Sequence, residues 1–246
     1  MSGPVAVAHR IFRAAGVDLV RYPGRTSPIG RRMRLLRSLG VDLVIDIGAN
    51  EGQYARELRR LGFRGYIVSY EPQAAPFAIL ARSAAADKHW DTRNLALGSE
   101  PSRLALNLAG NSVSSSFLEM LPAHLDAAPG SAFVGRETVE VTTLDDAWSA
   151  LAALGSRPYL KLDVQGYEWQ VLAGASAMLG QMAALQVELS LVPLYASSLG
   201  FTGHVDALAE RGFELASVEP GFEDPRTGRL LQLDGVFVRR DLLGRE

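Results

Sequence analysis

Four carboxylates, Asp46, Glu71, Asp163 and Glu188, each stand at or near the end of a short apolar run rich in β-branched residues. Such runs suit buried strands and are too short for most helices. An open α/β sheet binds ligands just beyond its strand ends, so each acid is a candidate ligand contact. After Asp46 the order is Ile47-Gly48-Ala49-Asn50-Glu51-Gly52, followed by a helix-forming segment from Tyr54 to Leu61. A strand, a glycine turn and a helix start in succession offer backbone N–H groups to a ligand. Gly48 and Gly52 allow a tight turn and a close backbone approach that a Cβ would block. The spacing is Asp-x-Gly-x-x-x-Gly, not the Gly-x-Gly-x-x-Gly of dinucleotide enzymes. A pyrophosphate would be poorly cradled there and repelled by Asp46. A cationic ligand carrying a ribose and an amino acid fits better.

Glu71 supports that choice. It follows the apolar run 66–70, where an α/β nucleotide site accepts hydrogen bonds from two ribose hydroxyls. Pro72 removes a donor, ends the strand and thereby sets where Glu71 points. A lone Glu71 would read as a solvated turn residue. One βα unit after Asp46-x-Gly48, it reads as a ligand contact.

Three segments together resemble the FkbM-type methyltransferases, which are S-adenosylmethionine-dependent O-methyltransferases. They are 46–52, Tyr70-Glu71-Pro72, and 160–168 with its Asp163-x-x-Gly166-x-Glu168. The resemblance runs from about Val41 to Val238 and takes in Thr143-Leu144-Asp145, Val187-Glu188 and the run 232–238. The first two motifs occur in many methyltransferases; the third is more specific. Many relatives carry Glu where this chain has Gln165, so no charge-dependent role is assigned there. The resemblance implies S-adenosylmethionine as cofactor, held by Asp46, Gly48, Ala49, Asn50, Gly52, Tyr54, Glu71 and Pro72. It also places Ala96 and Leu97 in the turn beside the adenine, Ser115 or Ser116 on the cleft, and Asp163 near the methyl donor. The implied acceptor is a small molecule or glycan, above all a sugar hydroxyl of a glycolipid, polysaccharide or secondary metabolite. Two other readings stay open: a nicotinamide oxidoreductase, disfavoured by the missing third glycine, and a non-catalytic S-adenosylmethionine-binding module.

A hydroxyl is a weak nucleophile, so a base or a metal must help remove its proton. Asp163 and Glu188, at neighbouring strand ends, could raise one another's pKa or share a divalent cation, magnesium or manganese. The bland reading makes each a cap on its following turn. His204, His124 and His89 are alternative bases, although a lone histidine is more often structural. No His-x-x-x-His, cysteine pair or EF-hand loop is present, so zinc and structural calcium are not expected.

The elements that carry these residues follow from punctuation and period. Helices are expected over 31–39, 54–61, 76–86, 144–154, 167–179 and 204–211. Strands are expected over 41–47, 66–70, 89–97, 138–142, 159–164, 183–189, 213–218 and 230–238, with an edge strand at 104–108. The polar tract 111–116 reads as a binding loop and 118–131 as an acceptor-side cap. Alternating strands and helices argue for a doubly wound, mostly parallel seven-stranded α/β sheet of the Rossmann-like methyltransferase kind. The last two strands, joined without a helix, argue for an antiparallel end strand.

Composition sets the outer bounds. The 246 residues suit one α/β domain. A net charge of −2 gives no overall bias toward nucleic acid, and the absence of cysteine excludes disulfides. Residues 1–40 carry eight arginines against Asp18 alone, a net +7, which leaves −9 for the remainder. They are expected to form a basic, amphipathic helical arm or lid, and 41–246 the methyltransferase domain. No apolar run is long enough to span a membrane and no secretory signal is visible, so a cytoplasmic location is expected. Homo-oligomerisation is left open.

Overall fold

A computed structural model describes residues 27–244, with residues 12, 14 and 16 before them. The rest of the expected arm lies outside the described residues. The chain runs in order through helix α1 (Pro28–Ser38), strand β1 (Leu43–Ile47), α2 (Gln53–Arg60), β2 (Tyr66–Tyr70), α3 (Ala74–Ala84), β3 (Trp90–Arg93), β4 (Ala96–Leu97) and β5 (Ser102–Ala109). Then come α4 (Pro122–Ala127), β6 (Phe133–Thr142), α5 (Leu144–Leu151), β7 (Pro158–Leu162), α6 (Glu168–Ala173), β8 (Ala184–Ser190) and α7 (Phe201–Glu210). The chain closes with β9 (Phe213–Pro220), β10 (Glu223–Asp224), β11 (Arg229–Leu230) and β12 (Gln232–Arg239).

The main sheet has seven strands in the order β3-β2-β1-β7-β8-β12-β9, with β12 antiparallel to both neighbours. The expected doubly wound, mostly parallel sheet is therefore present. The reversed strand, however, lies inside the sheet, and the edge is β9. Val236–Val238 of β12 is buried throughout, as an interior strand requires, whereas β9 alternates buried and exposed positions.

Alternation also divides the core. Leu43, Ile45, Leu160, Leu162 and Leu185 face one layer with Leu144 of α5 and Val171 of α6. Val44, Ile67, Tyr159, Ala184 and Val236 face the other, beside Met33 and Leu36 of α1 and Leu58 of α2. Ser27 caps α1 by accepting from the Gly30 N–H at 3.1 Å, with Pro28 in its first turn. Because Met33 and Leu36 are buried, this part of the arm is core.

Two further expectations change. The strand expected at 104–108 is not an edge of the main sheet. It extends over β5 and pairs antiparallel with β6 in a separate three-stranded sheet, β4-β6-β5. Its one buried face, with Leu106, Val139 and Val141, explains the alternation in its sequence. The helix expected over 167–179 stops at Ala173. A Cβ on Gly174 would lie 2.0 Å from the Gly98 carbonyl oxygen, so the end of α6 packs backbone to backbone against the residue that follows β4.

That contact generates a test. Gly174→Ala should lower stability by about 2 kcal/mol or more through overpacking, whereas Gly180→Ala, with nothing within 4 Å of its new Cβ, should be nearly neutral. Denaturant melts of the two variants compare them directly, and equal midpoints would show that the junction gives way.

Candidate active site at the carboxyl edge of the sheet

Strand β1 ends in a tightly wound turn. Gly48 has φ +74°, Asn50 +47° and Gly52 +85°, all in the left-handed region. The glycines are needed for packing within the protein: a Cβ on Gly48 would meet the Asp163 carbonyl oxygen at 1.9 Å, and one on Gly52 would meet Leu80 and Trp90 at 2.9 Å. The N–H groups of this turn are also spent internally. Those of Gly48 and Ala49 donate to the Tyr70 carbonyl at 3.0 Å, and that of Gly52 donates to Ala49 at 2.8 Å. The amides of Gly48 and Ala49 thus organise the end of β2 rather than facing the cavity.

What the turn organises is Glu71. The Asn50 N–H donates to Oε2 and the Gln73 N–H to Oε1, each at 2.8 Å, so both carboxylate oxygens are aimed from behind. Glu71 is buried, and burial pushes its pKa up to about 7 against the pull of the two amides and Lys161. The serine loop is tied to the same turn. Asn50 Nδ2 donates to Ser112 Oγ, and Ser115 Oγ donates to Gln73 Oε1 at 3.1 Å. Asn94 supports the far side by donating to the Glu71 and Pro72 carbonyls at 2.9 Å.

Across the cavity, one face of the sheet turns from apolar to polar at its carboxyl edge. Asp46, Lys161 and Gln186 lie side by side on β1, β7 and β8, and one pleat further Glu188, Asp234 and Glu219 do the same on β8, β12 and β9. The Lys161 ammonium stands 3.2 Å from Asp46 Oδ1 and 3.4 Å from Asp163 Oδ2, and donates to the Gly48 carbonyl at 3.1 Å. Burial disfavours its charge, but Asp163 and Asp46 outweigh that and hold its pKa above the usual value. Glu188 is driven well above the ordinary carboxylate range by burial and then by the charges of Asp163, Glu168 and Asp234. Gln165 Nε2 donates to both Asp163 Oδ1 at 2.9 Å and Glu188 Oε2 at 3.0 Å. At the far end Arg32 of α1 pairs with Glu57 at 2.8 Å and Glu219 at 2.9 Å, and lies 4.9 Å from the centre of the Tyr54 ring.

These two clusters border one cavity of about 420 Å³, within the range of small-ligand sites. Of the residues singled out in the sequence, Gly48, Ala49, Asn50 and Tyr54 line it from the first turn and helix. Glu71 and Pro72 line it from the end of β2, Ala96 and Leu97 from β4, Ser115 from the loop, and Asp163 from the end of β7. Asp46, Gly52, Glu188 and His204 are not among the lining residues. Asp46 is fully buried and faces Lys161; Gly52 packs on Leu80 and Trp90; Glu188 reaches the site only through Gln165. His204 is buried in α7 with Nδ1 3.3 Å from the Gly200 carbonyl oxygen. His124 packs on Tyr195 and Phe222, and His89 on Tyr66. Among the described residues, no histidine lines the cavity.

Lys161, Gln186, Asp234, Glu219 and Arg32 line it without having been singled out. Lys161 and Gln186 each stand two residues before a recognised acid, so strand alternation alone carried a signal for them. Arg32, Asp234 and Glu219 are brought in by pairings across the sheet and by α1, which local pattern does not reveal.

With the geometry in hand, comparison with known proteins gives three kinds of match. The sequence model of the family described as the methyltransferase FkbM domain matches residues 46–215. The chain is similar to a curated protein of Sinorhizobium fredii (strain NBRC 101917 / NGR234) named 2-O-methyltransferase NoeI. The two are 25% identical over 207 residues, covering 82% of this chain and 84% of that one. Among solved structures, an rRNA methylase from Streptococcus thermophilus aligns with a TM-score of 0.46 at 9% identity, over 87% of this chain and 97% of that one. TehB from Haemophilus influenzae aligns with a TM-score of 0.45 at 8% identity, over 85% and 62%.

The buried ion pair is open to direct test. Lys161→Met should destabilise the fold by about 3–5 kcal/mol, because it leaves a fully buried Asp46 carboxylate uncompensated. Adding Asp46→Asn in that background should recover part of the loss. A wild-type unfolding midpoint for Lys161→Met would show that Asp46 does not depend on the lysine.

Proposed function

This chain belongs to the FkbM methyltransferase domain family, and from that premise we propose that it is an S-adenosylmethionine-dependent O-methyltransferase acting on a hydroxyl, most fittingly one of a sugar. The observation that carries the reading is the aimed, buried Glu71 carboxylate and the partly open Asp163 carboxylate on one cavity. Bound there, S-adenosylmethionine would supply an electrophilic methyl on a sulfonium, and its transfer to an acceptor oxygen frees the hydroxyl proton.

The chain's own residues divide the remaining work. Glu71 accepts hydrogen bonds from the two ribose hydroxyls, with its oxygens held by Asn50 and Gln73. Ala96 and Leu97 give the adenine an apolar wall, and the acidic edge suits a cationic centre. Asp163 takes the acceptor proton, since it lines the cavity and Glu188 stands behind it. Oxygen as the methylated atom is supported by the name of the curated relative, a 2-O-methyltransferase. A sugar is supported by the carboxylates Asp163, Asp234 and Glu219 along the cavity. The basic arm is proposed to serve the acceptor side, because its Ile29 and Arg32 line the same space.

Two measurements test this. Glu71→Gln should weaken S-adenosylmethionine binding by about 1.5–3 kcal/mol. Hydroxyls that donate to Glu71 favour its ionised form, so binding should lower its pKa from about 7 and release a proton. Affinity should then rise with pH up to the region of 7 and level off above it. Calorimetry near neutral pH, in two buffers of different protonation heat, reads that proton; its presence in Glu71→Gln would remove Glu71 from the role.

For the chemistry, Asp163→Asn should keep cofactor affinity within about tenfold and lose roughly 10²–10⁴-fold in methyl transfer to a hydroxyl acceptor. Transfer of labelled methyl groups to a panel of glycans finds the acceptor. A protein that binds S-adenosylmethionine yet methylates none of them favours the binding-module reading.

A further inference from the structure

Gln165 stands out because its side chain is completely committed. Its Oε1 accepts from the Tyr195 hydroxyl at 2.7 Å, and its Nε2 uses both protons, one on Asp163 and one on Glu188. The amide is oriented so that its two N–H donors meet carboxyl oxygens and its oxygen meets the Tyr195 hydroxyl, which gives each proton an acceptor. Its backbone is left-handed, with φ +55°, a conformation a glutamine adopts only when its surroundings hold it there. Three contacts do so. Ser116 Oγ donates to the Gln165 carbonyl at 2.7 Å, and Glu168 Oε1 accepts from the Val164 and Gly166 N–H groups on either side. Tyr195 is itself buried, so the clasp is anchored in the core.

We propose that Gln165 is a positioning residue that holds Asp163 and Glu188 as a metal-free carboxylate pair, its amide nitrogen standing where a shared divalent cation would have to stand. A cation between two carboxylates needs lone pairs directed at it, whereas this position is filled by N–H donors that satisfy the same oxygens. The amide also serves the pair electrostatically, because hydrogen bonds to ionised carboxylates favour the charged form. The groups facing the pair are Lys161 beside Asp163, Asp234 on the strand next to Glu188, Glu168 from α6, and Tyr195. Of these only Lys161 is cationic, so the amide is the second source of relief for two acids held by one nitrogen. The consequence for proton removal rests on the proposed role of Asp163; the clasp itself does not.

The test therefore reads the carboxylates without turnover. Side-chain carbons of Asp163 and Glu188, labelled with carbon-13, are followed by NMR through a pH titration in the wild type and in Gln165→Leu. Both midpoints should move upward by about half a pH unit or more in the variant, as donors are lost and repulsion is left. Gln165→Glu, which keeps the side chain's size, reads the same pair should the leucine variant not fold, and the same upward move is expected. Manganese(II) added to the wild type should leave both carboxyl signals as sharp as those of exposed acids. Midpoints that move less than this, or selective broadening of the pair by manganese in the wild type, would overturn the proposal. Either result is independent of whether the protein binds S-adenosylmethionine.

Discussion

The site is organised around a single buried charge. Lys161 places an ammonium on the inner face of the sheet, between fully buried Asp46 and partly open Asp163. A charged pair at that depth is stable only when both partners are held together. The same ammonium donates to the Gly48 carbonyl, while Gly48 lets its backbone come against that of Asp163. One charge thus ties β1 to β7, brings the first turn against the third motif, and sets the position of the acid that borders the cavity. The cost is a desolvated charge in the core, and three oxygen partners offset it.

Backbone strain is distributed in keeping with this. Four non-glycine residues among those described have left-handed φ: Asn50, Ser112, Gln165 and Ser197. The first three line the cavity, and each belongs to a hydrogen-bond set that would be lost if it relaxed. Such conformations cost of order 1 kcal/mol or more each and persist where the surroundings over-determine them. Here the surroundings are the Glu71 turn on one side and the carboxylate clasp on the other, joined by the serine loop.

The electrostatics of the edge fit a methyltransferase family. Acids outnumber cations around the cavity, and the two buried cations, Lys161 and Arg32, are each held by carboxylates. What remains is a concave surface on which carboxylates predominate.

Sequence alone was sufficient for the fold class and for two of the acids on the cavity, Glu71 and Asp163. Continuous β-branched runs bounded by Asp-x-Gly, Glu-Pro and Asp-x-x-Gly-x-Glu are local signals, since a strand buried on both faces must be apolar and its end must turn. The mostly parallel sheet, Gly48 and Gly52 as special positions, and Glu71 and Asp163 as neighbours of a cavity all follow from such signals. Tertiary structure decided the rest. It set the reversed strand inside the sheet and gave β5 a separate sheet. It ended α6 at Gly174 and spent the amides of the first turn on β2. It placed Arg32, Asp234 and Glu219 on the cavity and His204 away from it. These outcomes depend on which strands pair and on how closely two backbones approach, quantities that involve residues well separated in the chain. A local pattern fixes the face a side chain takes on its own strand; only the pairing of strands decides which charges that face will meet.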